Sequence, residues 1–330
     1  MSSARITGYG HGHAQAFSPM RRALTRRTLG RLAGAALLAR PDAARAGLVL
    51  RVADQKGGAK SLMQAAGVLD GLPYALEWSL FAGAPMLLAA LNAGAVDLGQ
   101  IGDAPLSFAI AGGNRMRVIA AHRSDPGITA LVVGRTSSIQ TVADLRGRSV
   151  ATLHGQTGHY LTLAALQRAG LGFDAVRFVF MPPAAAHVAL VAGSVDSWAS
   201  WGPYTAQAEL VDGAREIVNG RGLMSGLSYV VASPQAVAGK RTALADFLAR
   251  LARAQAWSRS HEGAYVSAWA AEIGLPVDVA AAVVARSIAQ PAPLDDAVVA
   301  AQQRVADFMA ESGMLPAPQR VAGAFELGFG

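Results

Sequence analysis

The chain has 330 residues, with 29 Lys and Arg, 22 Asp and Glu, and no Cys. Eight of the basic residues and one acid, Asp42, fall in positions 1–46, so 21 of each sign remain beyond them and the net charge there is zero. That balance gives no evidence for a nucleic-acid partner, which would call for a basic face. The missing thiols exclude disulfides, thiolate metal sites and a cysteine nucleophile.

In chain order the first element is a leader. Thr25-Arg26-Arg27-Thr28-Leu29-Gly30-Arg31 resembles a twin-arginine export signal, followed by a weakly apolar stretch from Leu32 to Ala39 and by Ala44-Arg45-Ala46, an A-x-A type cleavage site. The stretch falls short of the roughly 20 apolar residues that hold a bilayer. A plain secretory signal or an uncleaved anchor is the alternative reading. Domain boundaries are therefore expected at 1–46 for the leader, 47–127 for the first part of one lobe, 128–230 for a second lobe, and 231–330 for a helical return to the first.

Leu48 to Ala53 reads as the first strand, then Asp54-Gln55-Lys56-Gly57-Gly58 as a loop opening a helix over about 60–69. Tyr74 to Leu80 is the second strand, and Phe81-Ala82-Gly83-Ala84-Pro85 leads into a helix with Pro85 in its first turn. Val96 to Ile101 is the third strand, ending at Gly102-Asp103-Ala104-Pro105, and Met116 to Ala121 closes this half. The turn Ser124-Asp125-Pro126-Gly127 marks a crossing. Residues 50–104 then reappear without a gap 99 positions later. Ala93-Gly94-Ala95-Val96-Asp97 matches Ala192-Gly193-Ser194-Val195-Asp196, Gly71-Leu72 matches Gly170-Leu171, and Phe81 matches Phe180. Each copy reads βαβαβ, so the chain is expected to hold two α/β units facing one another across a cleft.

Thr141-Val142-Ala143-Asp144 reads as a helix-opening capping box, and Leu227 to Ala232 as a return strand. From Thr242 the chain turns helical: Leu244, Phe247, Leu248 and Leu251 form a stripe at i, i+3, i+4 and i+7. Further helices are expected at 261–273, 277–289 and 295–312, with this tail packing on the first lobe and two crossings acting as a hinge.

The chemistry expected of the loops is binding. No Gly-x-Ser-x-Gly elbow, His-Glu-x-x-His or phosphate-binding Gly-x-x-x-x-Gly-Lys-Ser/Thr occurs after residue 46. His122, His154, His159, His187 and His261 lack metal-ligand spacing, and no cofactor is implied. The loop His154-Gly155-Gln156-Thr157-Gly158-His159-Tyr160 joins a strand to a helix, and would aim free amides, a hydroxyl and a helix dipole at an oxyanion. An ordinary capped Gly turn is the competing reading. Trp201 and Tyr204 would give an apolar wall or, equally, core packing, while Asp103 would cap a helix or touch ligand. Ligand contacts are thus expected among Gln55, Gly83, Gly102, Asp103, Gln156, Thr157, Gly158, His159, Trp201, Tyr204 and Tyr229. His159 with Asp103 is the one acid–base pair available to an enzyme.

Taken in order, these loops resemble those of the periplasmic solute-binding proteins that serve ABC importers of aliphatic sulfonates, within the taurine, nitrate and sulfonate group. The matching residues are Gln55-Lys56-Gly57; Ala82-Gly83-x-Pro85-Met86-Leu87-x-Ala89 continuing through Leu91-Asn92-x-Gly94; and Val96-Asp97-Leu98-Gly99-x-x-Gly102-Asp103. Thr141-Val142-Ala143-Asp144-Leu145-x-Gly147, Gly155, His159 and Val195-Asp196-x-Trp198-Ala199-x-Trp201-x-Pro203-Tyr204 complete them. The resemblance implies an α/β, two-lobe, hinge-closing fold of the type II periplasmic class, a sulfonate held by amides and small polar groups, a monomer, and a membrane permease and ATPase as partners. Gly202 stands where those proteins commonly carry Asp, and Gln156-Thr157-Gly158 where they run Ser-rich, which leaves the identity of the anion open. An enzyme on the same fold, or a ligand sensor docking a membrane receptor, are the rival readings.

Overall fold

Two sheets organise the molecule, and the chain passes from one to the other and back. The computed structural model describes residues 47–329; the expected leader and its cleavage after Ala46 lie outside the described residues. The first half runs β1 (Val49–Gln55), α1 (Ala59–Ala65), β2 (Ala75–Phe81), α2 (Ala84–Asn92), β3 (Leu98–Gly102), α3 (Asp103–Ala111) and β4 (Arg117–Arg123). A 3₁₀ turn at Pro126–Ile128, capped by the Asp125 carboxylate accepting from the Gly127 amide at 2.8 Å, carries the chain across. Then come β5 (Thr129–Val133), β6 (Ser149–Thr152), α4 (Thr157–Arg168), β7 (Arg177–Phe180), α5 (Pro183–Val191), β8 (Ser197–Trp201), α6 (Pro203–Leu210) and β9 (Arg215–Asn219). The return is β10 (Leu227–Ala232), α7 (Pro234–Gly239), α8 (Arg241–Ser260), α9 (Glu262–Ile273), α10 (Val277–Ser287), β11 (Gln290–Ala292) and α11 (Asp296–Glu311).

The sheets are ordered β11-β4-β10-β3-β1-β2 and β7-β6-β8-β5-β9. In each, the first strand of the repeat pairs in parallel with the second and third. The duplicated Gly-x-Val-Asp turns do the same work twice. Gly94 and Gly193 end α2 and α5 with φ of 71° and 69°, a left-handed turn that disfavours any side chain. The aspartates that follow face the foot of the first strand: Asp97 Oδ2 accepts from the Arg51 amide at 2.7 Å, and Asp196 Oδ2 from the Ser149 amide at 2.8 Å.

Several expectations need correction. β10 lies wholly in the first sheet, antiparallel between β3 and β4, so the boundary expected at 230 moves ahead of Leu227. β9, β11 and α7 were not foreseen. The Thr141–Asp144 box forms as expected, with Asp144 Oδ2 accepting from the Thr141 amide at 2.9 Å, but it opens a single 3₁₀ turn, Val142–Leu145, rather than a helix.

The tail departs most. α8 buries Leu244, Phe247 and Leu251 against the first sheet as the stripe predicts, and Phe247→Ala would cost about 3–5 kcal/mol. Beyond it, the tail reaches both halves. Val279, Ala280, Val283 and Val284 of α10 pack with Ala206 of α6, and Val305 and Met309 of α11 pack with Tyr160, Leu163 and Ala164 of α4. Apolar contacts therefore join the halves on both flanks of the space between the sheets.

Candidate functional site

Strands of a parallel α/β unit end where the next helix begins, so helix N-termini collect at one edge of each sheet. Here those edges face each other around a cavity of about 260 Å³. Its lining includes Gly102 and Asp103 at the start of α3, Gln156 and Thr157 at the start of α4, and Gly202 and Pro203 at the start of α6. Asp54 to Gly58 supply another wall, and the crossing segments supply Ser124, Pro126, Ile128, Met224, Gly226 and Leu227. Lys56 is the one cationic side chain of that lining among the described residues.

The four helix ends are not alike. The first amides of a helix have no partner within it. At α1 the Asp54 carboxylate takes them: it accepts from Ala59 at 3.1 Å and Lys60 at 2.7 Å, besides Gln55 at 2.9 Å. A Cβ at Gly58 would meet the Asp54 carboxylate. Burial pushes the Asp54 carboxyl up to about 6 against the pull of those three amides. α3 carries its own acid too. Asp103 is fully buried, accepts from the Ala104 amide at 2.8 Å and from the Ser225 hydroxyl, and burial raises its pKa. It both caps α3 and lines the cavity.

At α4 no hydrogen bond claims the amides of Thr157, Gly158 and His159 among the described residues. Its N-cap, Gln156, makes no capping bond from its side chain, and no acid lies in the first turn. The Gln156 Nε2 donor is buried without a partner among the described residues. The helix end is held close to β8 by Gly158, whose Cβ would run into the Ala199 carbonyl. Gly102 faces it from the first half: a Cβ there would lie 2.9 Å from Thr157 Cγ2. α6 likewise starts at Gly202 without a side-chain cap or an acid in its first turn. Unclaimed amides, a dipole end and an unpartnered amide side chain form an anion seat.

Six of the expected contacts line this cavity: Gln55, Gly102, Asp103, Gln156, Thr157 and Trp201. Five do not. Gly83 lies behind Gln156, where a Cβ would come within 3.0 Å of Nε2. Gly158 faces β8. His159 turns its ring to Phe178 and Phe180, at centroid distances of 4.6 and 5.0 Å, and its Nδ1 accepts from the Gly155 amide at 3.5 Å. Burial and the neighbouring His154 pull His159 down to about 3, which keeps it neutral. No hydrogen bond joins it to Asp103 among the described residues, so the expected acid–base pair is not assembled. Tyr204 packs edge-on to Trp201 and against Trp198. Tyr229 is fully buried on β10, edge-on to Phe325 at 5.7 Å.

Other residues of the lining had escaped notice. Trp269 of α9 spans the gap to the first loop: its Nε1 donates to the Gly57 carbonyl at 2.8 Å, and its ring lies where a Gly57 Cβ would be. Val283 and Ser287 of α10, with Gln100 and Ser228, complete the wall. In sequence Trp269 is one apolar residue of an amphipathic helix; Gly57, with a φ of 72°, is the nearest local sign that something must approach the loop.

Comparison with known proteins agrees with this geometry. The family model described as NMT1/THI5 like matches residues 83–262. A protein of Escherichia coli (strain K12) named for binding aliphatic sulfonates is 34% identical over 272 residues, which cover 81% of this chain and 85% of that one. The solved alkanesulfonate-binding protein SsuA from Xanthomonas axonopodis pv. citri, bound to MOPS, matches with a TM-score of 0.79 at 31% identity over 86% of this chain and 99% of that chain. The fold alone is shared with the desulfurization enzyme DSZB, at 19% identity and a TM-score of 0.62 over 86% of this chain and 97% of that one.

Proposed function

Since this chain belongs to the NMT1/THI5-like family, we propose that it is an extracytoplasmic solute-binding protein that captures a small organic anion, an aliphatic sulfonate, for an ABC permease and its ATPase. One observation carries the ligand's charge: α4 alone joins unclaimed first-turn amides to a buried amide side chain that has no partner among the described residues. A sulfonate brings three acceptor oxygens and one negative charge to that seat, and needs no buried Arg or Lys. Hydrogen bonds to a charged group are worth about 1.5–3 kcal/mol each. The aliphatic part would lie along Trp201, Trp269 and Val283, at roughly 25 cal/mol per Å² of apolar surface covered.

Capture rather than turnover is supported by the near relatives, which are named as binding proteins, and by His159 facing the second half's aromatic cluster. Export through a twin-arginine leader belongs to the same reading. The test is calorimetric titration of the purified protein with methanesulfonate, acetate and inorganic phosphate, beside Thr157→Ala. The wild type should bind the sulfonate. Thr157→Ala should weaken it about tenfold, the low end for one hydrogen bond to a charged group, since amides hold the rest. Absence of sulfonate binding at millimolar ligand, or conversion of the sulfonate to another product, would defeat the assignment.

A further inference from the structure

The main cavity does not end at its own wall. A second space of about 50 Å³ lies between α6 and α10, lined by Thr205, Ala206, Glu209, Leu210, Ala282 and Arg286. Three residues line both spaces: Ile128, Gly202 and Val283. They form the partition between them. The side space takes nothing from α3 or α4, so it sits away from the anion seat and beyond the apolar wall. A water-sized group needs roughly 10–15 Å³ of such space, so a few carbons would fit.

Of these three residues, Val283 is the one whose side chain lies on a helix outside the crossing segment. Gly202 has no side chain and holds a φ of 57°, with its amide donating to the Ile128 carbonyl at 3.0 Å. Ile128 sits in the crossing segment that this bond fixes. Val283 is 3% exposed, in the middle of α10, and lines both spaces.

We propose that Val283 sets the length of the aliphatic tail the cleft accepts, acting as a removable wall between the sulfonate cavity and the α6–α10 side space. This inference rests on the sulfonate reading above. It assigns α10, a helix of the tail, a part in ligand choice. The anion is read by α4, and the tail length by a residue more than a hundred positions away in sequence.

The experiment is a titration series with straight-chain alkanesulfonates from methane- to octanesulfonate against the wild type, Val283→Ala and Val283→Ile. Each methylene buried adds about fourfold in affinity. The wild-type series should climb at that pace and then stop at one chain length. Val283→Ala should move the stop outward by one or two carbons. Val283→Ile, which keeps the branched shape and adds one methyl, should move it inward, so that a misfolded alanine variant still leaves a readout. A stop at the same carbon in both variants, a wild-type series that never stops, or an equal loss at every length in Val283→Ala would each overturn the role of Val283 while leaving the sulfonate reading intact. Failure of the wild type to bind any member of the series would overturn that reading and this inference with it.

Discussion

The two halves descend on the cleft with matching loops, yet they treat their helix ends in opposite ways. In the first half α1 and α3 are each supplied with a carboxylate from the chain itself, Asp54 and Asp103. In the second half α4 and α6 begin with no acid and no side-chain cap. A dipole end answered by an internal carboxylate has little left for a second anion; one left unanswered has about 0.3–1 kcal/mol from the dipole, besides its free donors. Of the four helix ends around the cavity, the two of the second half are the ones without a carboxylate of the chain's own among the described residues.

Acid should have the largest effect. His159 is depressed from 6.5 to about 3, so its stabilising share is complete above pH 6.5 and is lost as pH falls toward 3. The full loss is on the order of 5 kcal/mol. His122 on β4, depressed to about 4 by burial, adds to it. Urea unfolding of wild type and His159→Phe between pH 3 and 7 checks this. The variant should show a shallower loss toward acid than the wild type; an unchanged slope would refute the account.

Gly158→Ala comes next, at about 3 kcal/mol, since its Cβ meets a strand carbonyl that cannot step aside. Gly58→Ala meets a carboxylate that can swing, and should cost less. Equal midpoints for the two in urea would break the contrast between a seat fixed on backbone and one fixed on a side chain.

Asp54 should give the smaller pH effect, with the opposite sign. Its carboxyl is raised from 3.8 to about 6, so the native state holds the extra proton: Asp54's own contribution is complete below pH 3.8 and is lost as pH rises through 6, by roughly 3 kcal/mol at most. Asp54→Asn should flatten that decline. If the stabilities of Asp54→Asn and the wild type run parallel between pH 4 and 6, another group is responsible.

How much of this was legible in the sequence depends on how local the cause is. The duplication could be read because each copy places Gly and Asp where a left-handed turn and a strand-foot hydrogen bond require them. The α8 stripe could be read because packing against one sheet leaves a helical period. β9 hid because Arg215-Glu216-Ile217-Val218-Asn219 is short and mostly polar, and β11 because Gln290-Pro291-Ala292 is an edge strand with no apolar run. β10 reads as the return strand, but the boundary expected at 230 cuts through it, since pairing with β3 and β4 is a long-range choice. At the site, Gln156 and Thr157 announce themselves as a strand-to-helix loop. Asp54 does not, standing five residues ahead of the amide it serves. Trp269 and Val283 look in sequence like any core residue of an amphipathic helix.

The apolar flanks bear on time rather than on affinity. Phe308 meets Tyr160 at a centroid distance of 5.1 Å on one side, and α10 meets α6 on the other. Any parting of the sheets wide enough to release a cargo must unzip both seams and wet them. Departure is then clocked by the protein's own seams, so short- and long-tailed cargoes of very different affinity would differ chiefly in how often an opening leads to escape.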